Sequence, residues 1–97
     1  MDDVRFHPEA QAEYQAALAW YQARSPQTAA RFEAEMERLV QAVSANPRMF
    51  PVYDDDQRYA MLGRFPYSVV YRMQPDSVHV VAVAHSRRAA GYWRGRA

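Results

Sequence analysis

Apolar residues recur along this chain with two different periods, and the change of period divides it in two. Between Ala10 and Arg24, the residues Ala10, Tyr14, Ala17, Leu18 and Tyr21 return at spacings of three and four, the signature of one buried stripe on a helix. Ahead of them, Val4-Arg5-Phe6-His7 alternates briefly and predicts a short first strand suited to a sheet edge. Pro8 then fits a first helical turn, with Glu9 near the positive end of the helix dipole. Ser25-Pro26 closes the first helix and opens a second, Ser25 as N-cap and Pro26 at the first helical position. In that second helix Ala29, Phe32, Met36, Leu39, Val40 and Val43 form the apolar stripe, and Arg31, Glu33, Glu35, Glu37 and Arg38 mostly fill the other positions. Asn46-Pro47 stops it. So short a junction predicts an antiparallel helical hairpin.

After the hairpin the period shortens to two. Residues 47–57 read as a connector rich in Pro and acid, and Arg58 to Leu62 as a weakly alternating strand ending at Gly63. Tyr67 to Met73 and Val78 to His85 are the clearest strands, joined by Gln74-Pro75-Asp76-Ser77. A four-residue loop sets Met73 opposite Val78, Tyr71 opposite Val80 and Val69 opposite Ala82. That register places Ser68, Val70, Arg72, His79, Val81, Val83 and His85 on one face. The other carries Tyr67, Val69, Tyr71, Val80, Ala82 and Ala84 and, lacking charge, is assigned to the helices. The first face then suits a partner laid across it. The predicted fold is α+β: an N-terminal strand, an antiparallel helical hairpin, then a mainly antiparallel three-stranded sheet with a basic C-terminal tail.

Ninety-seven residues suit one domain, 1–97, with roughly 65% of the unfolded surface buried. No apolar run is long enough to span a membrane. The acidic MDDVRFHPEA start lacks the features of a signal peptide, so a cytoplasmic location is expected. The absence of cysteine agrees with that and removes disulfides, thiol catalysis and zinc-thiolate sites. The net charge of +1 hides a division. Residues 1–56 carry five arginines against ten acids, a net of −5, and residues 57–97 carry seven arginines against Asp76 alone, a net of +6. A one-sided basic half points to an anionic partner, either nucleic acid or an acidic protein segment. Every basic residue is Arg and none is Lys; the guanidinium suits planar, bidentate contact with carboxylate or phosphate.

His7, His79 and His85 have neither short ligand spacing nor a nearby carboxylate in sequence, so no metal and no cofactor is expected. Asp54-Asp55-Asp56 reads as a solvated turn. His85, beside Arg87 and Arg88 at a strand end, is placed to act as a general base kept neutral by positive neighbours, or simply to bond the backbone there. Arg87, Arg88, Arg94 and Arg96 with Tyr92 and Trp93 combine phosphate donors with stacking rings. That mixture serves RNA binding and equally an interface with an acidic protein, and Trp93 has the further option of packing back on the core. Phosphate loops, nucleophile elbows and paired catalytic carboxylates are absent from the sequence.

The order of elements, together with particular motifs, resembles the RelE/ParE superfamily of type II toxin–antitoxin toxins, the plasmid-stabilisation type. The motifs are Arg64-Phe65-Pro66-Tyr67, Val69-Val70-Tyr71-Arg72, Val80-Val81-Ala82-Val83-Ala84-His85, and the ending His85, Arg87, Arg88, Tyr92, Trp93, Arg96. His7-Pro8-Glu9-Ala10 and the helix stop at Asn46-Pro47 agree, so the resemblance spans nearly the whole chain. It implies growth inhibition by the unpartnered toxin, neutralisation by a cognate antitoxin, and contact with operator DNA only through that antitoxin. RelE-like members cut messenger RNA on the ribosome, and ParE-like members inhibit DNA gyrase by binding. This chain has no sheet lysines, and Ser68 stands where the cutters place an arginine, which favours the ParE-like alternative. Target or antitoxin binding then falls to Arg64, Arg72, Arg87, Arg88, Trp93 and Arg94. An RNA cutter would instead use His85, Arg87 and Tyr92 as its catalytic set. A non-toxic, peptide-binding member of the family is the third reading.

Overall fold

The computed structural model describes residues 3–54 and 56–96. In chain order the elements are β1 (Asp3–Phe6), α1 (Pro8–Arg24), α2 (Pro26–Ala45), β2 (Val52–Asp54), β3 (Gln57–Met61), β4 (Tyr67–Met73) and β5 (Ser77–His85). His7 ends the first strand one residue early because it caps α1: its ring Nδ1 accepts the Glu9 N–H at 3.1 Å, with Pro8 in the first turn. Ser25 caps α2 as expected, its hydroxyl accepting from the Thr28 N–H at 3.2 Å.

The strands form one five-stranded mixed sheet in the order β1-β5-β4-β3-β2. The helical hairpin covers one face, and the C-terminal tail lies on the other. The sheet is larger than the three-stranded one expected, for two reasons. β1 joins it as an edge strand parallel to β5, with Val4 beside Val78 and Phe6 beside Val80. Part of the expected 47–57 connector pairs with β3 as β2. The Asp54–Asp56 run lies at the β2–β3 turn, where Asp55 falls outside the described residues.

The hairpin of β4 and β5 starts in the expected register, with Met73 opposite Val78, Arg72 opposite His79 and Tyr71 opposite Val80. It then slips: Val70 faces Ala82 and Val69 faces Val83. Val81 is the extra residue of a β-bulge, which reverses the side each later residue takes. The expected faces are therefore corrected beyond Val81. Val83 turns to the helices beside Val69, Tyr71, Val78 and Val80. Ala82 and Ala84 turn to the tail side with Val70 and Val81. His85 stands opposite Tyr67, with the two rings edge to face at 5.0 Å.

Two apolar layers result, one on each face of the sheet. The helix-side layer centres on Phe32, which is fully buried and packs its ring against Tyr14, Tyr21, Phe65 and Tyr67 at 5.0–5.8 Å. Burying one such ring contributes about 1.5–3 kcal/mol by transfer alone. In the second layer Trp93 is 6% exposed and covers Val70, Val81, Ala82 and Ala84, flanked by Tyr53, Tyr59 and Tyr92. The sheet face expected to lie open for a partner is covered, over its apolar half, by the chain's own tail.

Candidate functional site

β1 ends opposite Val80, so β5 runs on past its edge neighbour from Val81, the bulged residue. The Val81 carbonyl accepts from the Arg96 guanidinium at 2.9 Å, and the Val83 N–H donates to Glu13 Oε1 at 3.0 Å. Buried backbone polar groups of this kind are strongly selected for pairing, and here one residue from the tail and one from α1 supply it. Glu13 and Arg96 also meet each other, Oε1 to Nη1 at 3.0 Å and Oε2 to Nη2 at 3.1 Å. The Tyr92 hydroxyl donates to Glu13 Oε2 at 2.7 Å. Glu13 thus gathers α1, β5 and the tail at one point. Burial raises its carboxyl pKa, but the Arg96, Tyr92 and Val83 donors outweigh that and hold it below the ordinary carboxylate value.

The same network fixes Tyr92. Burial and then the bond to Glu13 push its phenol well above the usual tyrosine range. The Arg88 guanidinium stacks 3.8 Å over its ring. Trp93 donates its indole N–H to Gln57 Oε1 at 2.9 Å, and Arg94 pairs with Asp54 at 2.8 Å. The turn that carries these side chains needs Gly91 at φ +78°, a backbone state that favours glycine; a Cβ there would also press on the Arg94 guanidinium at 2.7 Å.

His85 sits half-buried at the end of β5, and its Nδ1 accepts the Arg87 N–H at 3.0 Å. Arg87 and Arg88 are exposed. The Ser86 N–H donates to the Pro66 carbonyl at 2.8 Å, which brings the 86–88 turn against the 63–66 turn and its exposed Arg64. That second turn is held to α2 by Glu35, whose carboxylate accepts from the Gly63 and Arg64 N–H groups. Arg64, Arg87 and Arg88 therefore gather at one end of the sheet, with no ion pair to any of them among the described residues. Beside them a recess of about 510 Å³ runs between α1 and β5, lined by Glu13, Trp20, Tyr67, His85, Arg88 and Tyr92 among others.

Arg72 lies apart from that end. It points to the tail side with His79 and Gln57 as cross-strand neighbours. The sequence-predicted residues therefore form two groups: Arg64, His85, Arg87 and Arg88 at one end of the sheet, and Arg72 with Arg94 toward the opposite end, near the β4–β5 turn. Tyr92 and Trp93 serve to fasten the tail. The residue that sequence reasoning missed is Glu13. It stands three after Ala10 and four before Ala17, so the helical stripe itself placed it at the buried margin.

With this geometry in view, comparison with known proteins gives two results. A family model described as the ParE toxin of the type II toxin–antitoxin system, parDE, matches residues 4–90. The fold matches a solved chain from "Chromosomal ParDE TA system from P. aeruginosa" at a TM-score of 0.74 and 17% identity, covering 88% of this chain and 96% of that one. No curated protein matches. Among the described residues no helix is long and apolar enough to cross a membrane. With a family match over residues 4–90, the chain belongs to the ParE toxin family of type II toxin–antitoxin systems.

Proposed function

We propose that the chain is a cytoplasmic toxin that acts by binding, with DNA gyrase as its target, and that a cognate antitoxin neutralises it by covering the Arg64–Arg87–Arg88 end of the sheet. The observation that carries this reading is the Tyr92–Glu13 bond. A tail aromatic for RNA cleavage must be offered to the nucleotide, and here its hydroxyl is engaged and its ring lies under Arg88. The His85 Nδ1 is likewise engaged by the Arg87 N–H. General acid–base chemistry needs a group within reach of the substrate proton; the Tyr92 contacts oppose that role for the tail aromatic, and the His85 contact occupies one of its two ring nitrogens. The exposed arginines at the sheet end match the chemistry of an acidic partner surface.

Inducible expression in bacteria, alone and with the antitoxin, tests the reading when DNA, RNA and protein synthesis are followed by pulse labelling. DNA synthesis is expected to fall first and to recover when the antitoxin is co-expressed. Early loss of protein synthesis with discrete breaks in messenger RNA would overturn it in favour of the His85, Arg87 and Tyr92 ribonuclease set. Growth without any inhibition would leave a peptide-binding member of the family.

A further inference from the structure

The half of the sheet that Trp93 leaves uncovered carries a row of polar residues across neighbouring strands. Arg5 on β1 stands beside His79 on β5, His79 beside Arg72 on β4, and Arg72 beside Gln57 on β3. Residues in register share a face, so the two arginines stand on either side of His79; Arg5 has its counter-charge in Asp3 at 3.0 Å, which leaves Arg72 as the member of the row with no acid beside it. Next to the row, Arg72, Arg94 and Arg96 line one recess of about 340 Å³ with Asp54, Asp56, Gln57 and Gly95. Arg94 is neutralised there by Asp54, and Arg96 by Glu13 from outside the recess. Arg72 pairs with no acid among the described residues, although Asp56 lines the same recess. Its Nε is the buried side-chain donor that lacks any hydrogen-bond partner among the described residues.

A buried donor left unpaired in a folded protein calls for an explanation, of which an absent ion is one. We propose that the recess between Arg72 and the Arg94–Arg96 segment is an oxyanion site, taking a phosphate or carboxylate group on the Arg72 guanidinium. The planar fork of an arginine donates to two oxygens of such a group side by side. Arg94 stands on the same wall with its charge already balanced. This site lies on the strand face away from the Arg64–Arg87–Arg88 end, and it does not depend on what the toxin inhibits.

The test reads the Arg72 Nε–H directly in a ¹H–¹⁵N correlation spectrum of the intact protein, assigned by its loss in Arg72→Gln. Titration with inorganic phosphate, and separately with glutarate, is expected to move that resonance in a saturable way, with the tighter of the two naming the source of the oxyanion. Arg72→Lys, which keeps the charge and removes the fork, is followed through the backbone amides of Gln57 and Gly95 in the same recess and is expected to weaken binding at least tenfold with the melting temperature little changed. The proposal is overturned if neither anion moves the resonance. It is equally overturned if Asp56→Asn shifts it in anion-free buffer as far as phosphate does in the parent protein, because the chain's own carboxylate then fills the site.

Discussion

Glu13 shows how one residue on a helix sets the position of a tail more than seventy residues away. Its carboxylate takes the Val83 N–H, the Tyr92 hydroxyl and the Arg96 guanidinium, and its side chain is only 16% exposed. Glu13→Gln keeps the shape but removes the charge opposite Arg96, so it leaves a buried cation poorly balanced. A loss of about 3 kcal/mol is expected, measured by denaturant unfolding. The pH dependence follows from the direction of the shift. Because the folded carboxyl pKa lies below the ordinary value of 4.5, its contribution is full above that value and is lost as pH falls through the lower, folded one. The parent is therefore expected to lose stability between pH 4.5 and strongly acidic conditions by more than Glu13→Gln does. Equal acid sensitivity of the two proteins would show that other carboxylates govern the acid limb. The stripe of α1 was legible in the sequence, yet Glu13 reads there as an ordinary helix acid. Its partners are two tail side chains and a backbone N–H of β5 beyond the end of β1.

At the scale of elements, the parts with distinct polar markers were legible and the bulge was not. Ser25-Pro26 and Asn46-Pro47 bound α2 almost to the residue, because caps and prolines have only a few places to go. Val80-Val81-Ala82-Val83-Ala84 carries no polar residue, so either register buries apolar side chains and the alternation cannot detect an extra residue. β2 escaped detection for a related reason. A three-residue strand amid Pro and Asp gives no period, and it holds its place by pairing with β3. The tail was legible in its chemistry but not in its task. Basic and aromatic side chains were read as waiting for a partner, whereas Trp93 closes the second core layer. Trp93→Ala removes that cover and the bond to Gln57, at an expected loss of about 3–5 kcal/mol. The freshly exposed Val70, Val81, Ala82 and Ala84 face should also draw copies together, which size-exclusion chromatography at rising concentration would reveal. A stable, monomeric Trp93→Ala would mean that the tail is dispensable to the sheet.

Over the whole molecule, the charge division visible in the sequence becomes a division in space. The helical hairpin carries Glu9, Glu13, Glu33, Glu35 and Glu37, and the sheet end carries Arg64, Arg87 and Arg88 with no ion pair to them among the described residues. Exposed charges of one sign accelerate the encounter with an opposite surface and do little for internal stability. The double substitution Arg87→Glu and Arg88→Glu should therefore leave the melting temperature within a few degrees of the parent while slowing association with the antitoxin about tenfold or more at low salt. The gap between variant and parent should narrow as salt rises, because charges farther apart than about 10 Å at 0.1 M are screened. Association rates from surface plasmon resonance at low and high ionic strength separate this from a packing role. If the loss lay in dissociation and persisted at high salt, the two arginines would be buried anchors of the complex. If the rates did not change at all, the antitoxin would have to dock away from this end of the sheet.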